Sequence, residues 1–104
     1  DGMKNLIKTN RPRAVIVSNN FMTVGAINAI REAGLSIPQD IAVAAFDFVD
    51  ETELITPKIT SINQPATQIG ECAAEIVLSG LNAQFDGSYN KRTLDTIFLP
   101  GESW

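Results

Sequence analysis

The sequence predicts an α/β fold, an open parallel sheet with helices on both faces, and three features carry that prediction. Two near-continuous apolar runs, residues 14–17 and 41–46, read as buried strands. Between them the period changes: Ala26, Ala29, Ile30 and Ala33 recur at i, i+3, i+4 and i+7, the stripe of a helix. Strand, helix, strand in that order implies a parallel crossover, and a second helix and strand pattern follows further along the chain.

The elements follow in order. Met3, Leu6 and Ile7 give a short first helix that ends at the Asn10-Arg11-Pro12 breaker. The strand at 14–17 is bounded by Pro12 and by Ser18-Asn19-Asn20. The helix over 21–33 stops at Gly34, which supplies a left-handed terminal position, and Leu35 packs back on the last turn. Pro38-Gln39-Asp40 turns the chain into the strand at 41–46, expected to be covered on both faces. Residues 50–54 suggest a helical turn broken by Pro57, and 58–62 a short strand. Asn63-Gln64-Pro65 opens a helix with Ile69, Cys72, Ala73 and Ile76 as its buried stripe, running to about Ser79 and closed by Gly80. A polar loop over 82–92 leads to a last strand at 93–99.

Composition narrows the function. The chain has 104 residues, 44% apolar and 19% charged, which suits one domain over residues 1–104 with one core. There is no histidine, so no Ser/His/Asp triad, Cys/His nucleophile pair or histidine-ligated zinc site can be built. The single cysteine, Cys72, excludes an intramolecular disulfide and falls on a helix stripe, where it reads as a small packing residue. Eight basic against twelve acidic residues leave a net charge of −4, the wrong sign for gripping DNA unaided. No apolar run reaches the roughly 20 residues that span a bilayer, and the first ten residues are too polar for a secretory signal. A soluble, cytoplasmic protein is expected. The opening Asp1-Gly2-Met3-Lys4-Asn5-Leu6-Ile7 looks like a helix entered partway, as in a piece of something longer.

In open α/β sheets ligands sit at the carboxyl ends of strands, a rule that selects Ser18-Asn19-Asn20 and Asp47-Phe48. Asn19 and Asn20 offer amide donors and carbonyl acceptors for a neutral, hydroxyl-rich or amide-rich ligand; an asparagine there is equally a favoured N-cap. Asp47 can accept hydrogen bonds from two hydroxyls, each charge-assisted and contributing roughly 1.5 to 3 kcal/mol. Its alternative role is capping the turn at Asp50. Phe48 either stacks on a ligand face or packs beneath its loop. Asp47, Asp50, Glu51 and Glu53 match no EF-hand spacing or compact cation cage, so no metal and no cofactor is expected.

Three stretches, in this order and spacing, resemble the effector-binding core of lactose-repressor-type (LacI/GalR) transcription regulators over most of the chain. They are Arg13-Ala14-Val15-Ile16-Val17-Ser18-Asn19-Asn20 through Gly34 to Ile41, Val43-Ala44-Ala45-Phe46-Asp47, and Thr56-Pro57-Lys58-Ile59-Thr60-Ser61-Ile62-Asn63-Gln64-Pro65 leading to Gly70. The resemblance implies one lobe of a two-lobed periplasmic-binding-protein-like (type I) fold, the C-terminal one. Effector is held between the lobes, and an N-terminal helix-turn-helix outside this sequence reads the operator. It implies effector contacts at Asn19 and Asp47, the positions that the strand-end rule also selects. It further implies a homodimer seam near Phe21, Met22, Val24, Leu54 and Ile55, although Phe21 and Val24 suit core packing equally well. The family often has an aspartate where Asn20 stands, a glycine where Ala45 stands and a small or acidic residue where Phe48 stands, so effector chemistry does not carry over.

The expected function is therefore effector sensing and dimerisation in a bacterial LacI-type regulator, with a small polar ligand such as a sugar and no catalysis. A periplasmic sugar-binding protein of a transport system shares the site but usually lacks the Gly-Leu-x-Ile-Pro-x-Asp and Thr-Pro-x-x-Thr segments present here. A doubly wound α/β enzyme is disfavoured, because neither a glycine-rich phosphate loop nor an acid/base pair is found.

Overall fold

The computed structural model describes residues 2–49, 54–82 and 91–104. Its elements are α1 (Gly2–Thr9), β1 (Ala14–Val17), α2 (Asn20–Glu32), β2 (Ala42–Phe46), β3 (Thr60–Asn63), α3 (Ala66–Asn82) and β4 (Ile97–Leu99). The sheet order is β1-β2-β3-β4. β1 pairs in parallel with β2, and β2 in parallel with β3. Two compact units are present, Asp1–Asn63 with Phe98–Trp104, and Gln64–Ile97.

In the first unit, parallel pairing forces the chain to return to the same end of the sheet between strands, and α2 makes that crossover. Its inner stripe, Ala26, Ile27 and Ile30, meets Val17 of β1 and Val43 and Ala45 of β2 in a core that also takes in Ile41, Phe48 and Ile59. α2 ends as its sequence foretells. Gly34 takes φ 71°, its N–H donates to the Arg31 carbonyl (2.9 Å), and the Leu35 N–H donates to the Ile30 carbonyl (3.1 Å). These bonds satisfy carbonyls that the last helical turn would otherwise leave bare. α1 has no glycine to end it, so Arg11 itself takes φ 41° and donates its N–H to the Leu6 carbonyl (3.1 Å).

β1 departs from the expected fully buried strand. Only Val17 is buried, and Ile16, on the opposite face, is 86% exposed. β2 likewise buries Val43 and Ala45 on one face while Ala42 and Ala44 stay half-buried. Apolar content alone does not distinguish one covered face from two when the residues are as small as alanine. β3 begins two residues later than its alternation suggests, at Thr60, and β4 is only three residues long.

The segment that follows β4 is stitched into the strands. Ser103 is fully buried; its carbonyl accepts from the Val43 N–H (2.7 Å), and its hydroxyl donates to the Val43 carbonyl (2.5 Å) and accepts from the Thr60 N–H (2.9 Å). Gly101 comes so close that a Cβ there would lie 2.6 Å from both the Ile59 carbonyl carbon and the Thr60 nitrogen, and nearer still to the Lys58 oxygen. Any other residue at this position would collide with backbone that cannot step aside.

In the second unit, α3 passes through Gly80 to Asn82 rather than stopping at Ser79. Glycine costs a helix about 1 kcal/mol relative to alanine but does not by itself end one. The expected stripe is only partly covered: Cys72 and Ile76 are half-buried, and Ile69 and Ala73 are exposed. Arg92 pairs with Glu75 (2.7 Å) and donates to the Cys72 sulfur (3.8 Å); these contacts hold its guanidinium above the ordinary arginine pKa.

Candidate functional site

The sheet register puts two of the sequence-predicted residues at the same end of adjacent strands. Val17, the last residue of β1, pairs with Ala45, one residue short of the end of β2, and Asn19 and Asp47 each lie two residues beyond that pair. Parallel strands put both at the carboxyl end of the sheet, where successive loops converge.

Asn19 has extended backbone, φ −161° and ψ 169°, and its Oδ1 accepts from the Met22 N–H at 2.9 Å. It is the N-cap of α2. Its side-chain carbonyl thereby fills one orphan donor of the helix, while the amide Nδ2 makes no hydrogen bond among the described residues. Asn20 is the first residue of α2 and exposed.

Asp47 is half-buried and takes φ 52°, in the left-handed region that residues with a Cβ rarely enter. Its N–H donates to the Ile62 carbonyl (2.9 Å), which continues the β2–β3 ladder by one bond before the chain turns away. Strain of this kind survives only where the surroundings hold it, and the next residue is where they do so here. The Phe48 carbonyl accepts from Asn63 Nδ2 (3.1 Å) and Ser61 Oγ (3.3 Å). The Phe48 ring lies in the core at 4% exposed, so of its two sequence-stated roles the structure displays packing beneath the loop.

Asn63 and Ser61 hold the loop that carries Asp47 and Phe48, a role that sequence reasoning missed. Both are buried, and the signal was available in the polar Thr60 and Ser61 inside a segment that otherwise reads as strand; Asn63, expected to open the next helix, instead ends β3, and α3 starts at Ala66. Asn63 Oδ1 is buried and has no hydrogen-bond partner among the described residues.

Phe21 (89% exposed), Met22, Val24 and Leu54 (79% exposed) all leave large apolar surface uncovered. Ile55, the fifth residue of the expected seam, is instead half-buried against the core. Asp50, Glu51 and Glu53, the acids weighed for a metal, lie outside the described residues, as does most of the expected turn at 50–54. Among the described residues no group of three or more Cys, Asp or Glu side chains is placed to hold a metal ion. No helix among them is long and apolar enough to cross a membrane.

A periplasmic binding protein-like domain family model matches residues 1–103. The lactose operon repressor of Rhizobium radiobacter is 40% identical over 92 residues, which cover 88% of this chain and 75% of that protein. The ribose operon repressor of Escherichia coli (strain K12) is 38% identical over 79 residues, 75% of this chain but only 24% of the repressor. Among solved structures, a LacI family transcriptional regulator from Enterococcus faecium with bound ribose superposes with a TM-score of 0.84 at 25% identity, covering 98% of this chain and 38% of that one.

Proposed function

Since this chain belongs to the periplasmic binding protein-like family, in its branch of LacI-type transcriptional regulators, we propose that it is the effector-sensing and dimerising lobe of such a regulator. The observation that carries this reading is the register: Asn19 and Asp47 each lie two residues beyond the Val17–Ala45 pair of adjacent parallel strands, one with amide donors available and one with a carboxylate. Such a pair suits a small polar molecule with vicinal hydroxyls, and a sugar is the simplest member of that class. Asn20 adds a further exposed amide at the rim. The ribose held by the Enterococcus regulator agrees with that chemistry.

The mechanism is a population shift. Effector bound between this lobe and a second one favours the closed arrangement, and a dimer joined through Phe21, Met22, Val24 and Leu54 transmits the change to DNA-reading domains elsewhere in a cytoplasmic protein. No bond is made or broken. Free energy limits what one lobe achieves alone: micromolar affinity needs about 8 kcal/mol, beyond the reach of one carboxylate and two amides on an open surface.

Calorimetric titration with ribose, lactose and purine bases tests the reading. Binding is expected to be millimolar or absent with the 104-residue chain and restored when the preceding lobe is joined to it. In the joined protein, Asp47→Asn is expected to weaken the preferred ligand roughly tenfold, about 1.4 kcal/mol. Unchanged affinity would remove Asp47 from the site. A helix-turn-helix in the reading frame upstream favours the regulator, and a secretory leader favours a transport protein.

A further inference from the structure

A concave site lies at the opposite end of the same strands. A cavity of about 570 Å³ is lined by Ile7 and Lys8 of α1, Arg11 and Pro12 ahead of β1, Ala33 and Leu35 at the end of α2, and Asp40 and Ile41 ahead of β2. β1 has four residues, so this cavity is separated from Asn19 by roughly 13 Å of strand, at about 3.3 Å per residue. Its size falls in the range of small-molecule pockets, about 300 to 1,000 Å³.

The chemistry of the wall is one-sided. Five of the lining residues, Ile7, Pro12, Ala33, Leu35 and Ile41, are apolar, and the cations Lys8 and Arg11 stand beside them. Neither cation is ion-paired among the described residues, where the pairs are Lys4 with Glu32 and Arg92 with Glu75. That is notable in a chain of net charge −4, where acidic partners outnumber basic ones. Lys8 lies in the last turn of α1 and meets the negative end of that helix. Arg11 lies past the helix and has no such role; a glycine or asparagine would adopt its φ of 41° at less cost. Asp40, the acid of the cavity, is already committed: its Oδ2 accepts from the Ser36 N–H (2.7 Å) and closes the 36–40 loop.

We propose that this cavity binds a small organic anion with one charged end and an apolar body. The charged end sits against Lys8 and Arg11, the body lies on Ile7, Pro12 and Leu35, and Asp40 discourages a second anionic end. The ligand class differs from the neutral polar molecule expected at the carboxyl ends. The site is therefore a separate input to the same strands, and its occupancy is readable whether or not a sugar binds at Asp47.

Two-dimensional 15N NMR of the 104-residue chain tests this with benzoate, its neutral isostere benzamide, and acetate as the charged end alone. Benzoate is expected to give saturable shifts at the amides of Arg11, Leu35, Asp40 and Ile41. Benzamide, acetate and the Lys8→Gln/Arg11→Gln variant are each expected to bind about tenfold more weakly or worse. Shifts that stay linear in benzoate, or that sodium chloride reproduces, overturn the proposal. So does equal affinity for benzamide, a comparison that needs no variant. Equal affinity for acetate overturns the role of the apolar wall.

Discussion

The two ends of the central strands solve opposite problems. Near their amino ends, β2 and β3 are locked together by Ser103, whose hydroxyl and carbonyl are all engaged and which water does not reach. At the carboxyl ends exposed Asn19 spends one amide atom on a cap and keeps the other, and half-buried Asp47 is held in a costly backbone conformation. A buried polar group with all its partners strengthens a fold, and one left with capacity invites a ligand. The contrast predicts that substitutions at the first end cost more stability than those at the second, which register chiefly in binding.

The largest effect is expected at Gly101. A methyl group there meets backbone on Ile59 and Thr60, so Gly101→Ala is expected to cost about 3 kcal/mol, read as a lower urea midpoint. Ser103→Ala comes next. It leaves the buried Thr60 N–H without its acceptor and is expected to cost about 2 kcal/mol by the same measurement. A loss below about 0.5 kcal/mol would mean that the lock holds less than its geometry suggests. Asn19→Ala removes the cap and is expected to cost about 1 kcal/mol, which Asn19→Asp restores, since a carboxylate also accepts the Met22 N–H. The aspartate lacks the amide donor, so in a two-lobed protein it is expected to keep stability and lose effector. The smallest change in stability is expected for Asp47→Gly, within about 0.5 kcal/mol of the parent, because relief of the left-handed conformation offsets the entropy of glycine in the unfolded chain. A large stability loss at Asp47 would erase the distinction between the two ends.

What the sequence revealed was mostly local. An asparagine N-cap at Asn19 or Asn20 and the Gly34 terminus with Leu35 folding back depend on residues within a turn or two of one another, and the parallel crossover follows from the order of three consecutive elements; all are readable from spacing. Strand pairing then put Asn19 and Asp47 each two residues past the Val17–Ala45 pair. The Ser103 lock was not legible: it joins residues 60 positions apart, and nothing in Gly-Glu-Ser-Trp marks a buried serine. The left-handed Asp47 escaped notice as well, because the sequence around it contains no glycine and the conformation is imposed from β3. Exposure of Ile16 lies beyond periodicity, since a run of β-branched residues looks the same whether one or both faces are covered.

The Ser103 lock also sets the order in which this protein can mature. During synthesis β1, α2, β2 and β3 leave the ribosome while the residues that latch β2 to β3 are still unmade, and domains settle as whole units once their parts have emerged. Until Gly101 and Ser103 arrive, the nascent chain carries its helices and its parallel strands with the central pair unlatched. Translation that stops before Gly101 therefore yields a polypeptide with the core residues of β1, α2 and β2 but without the Ser103 fastening, the kind of species that quality-control proteases remove.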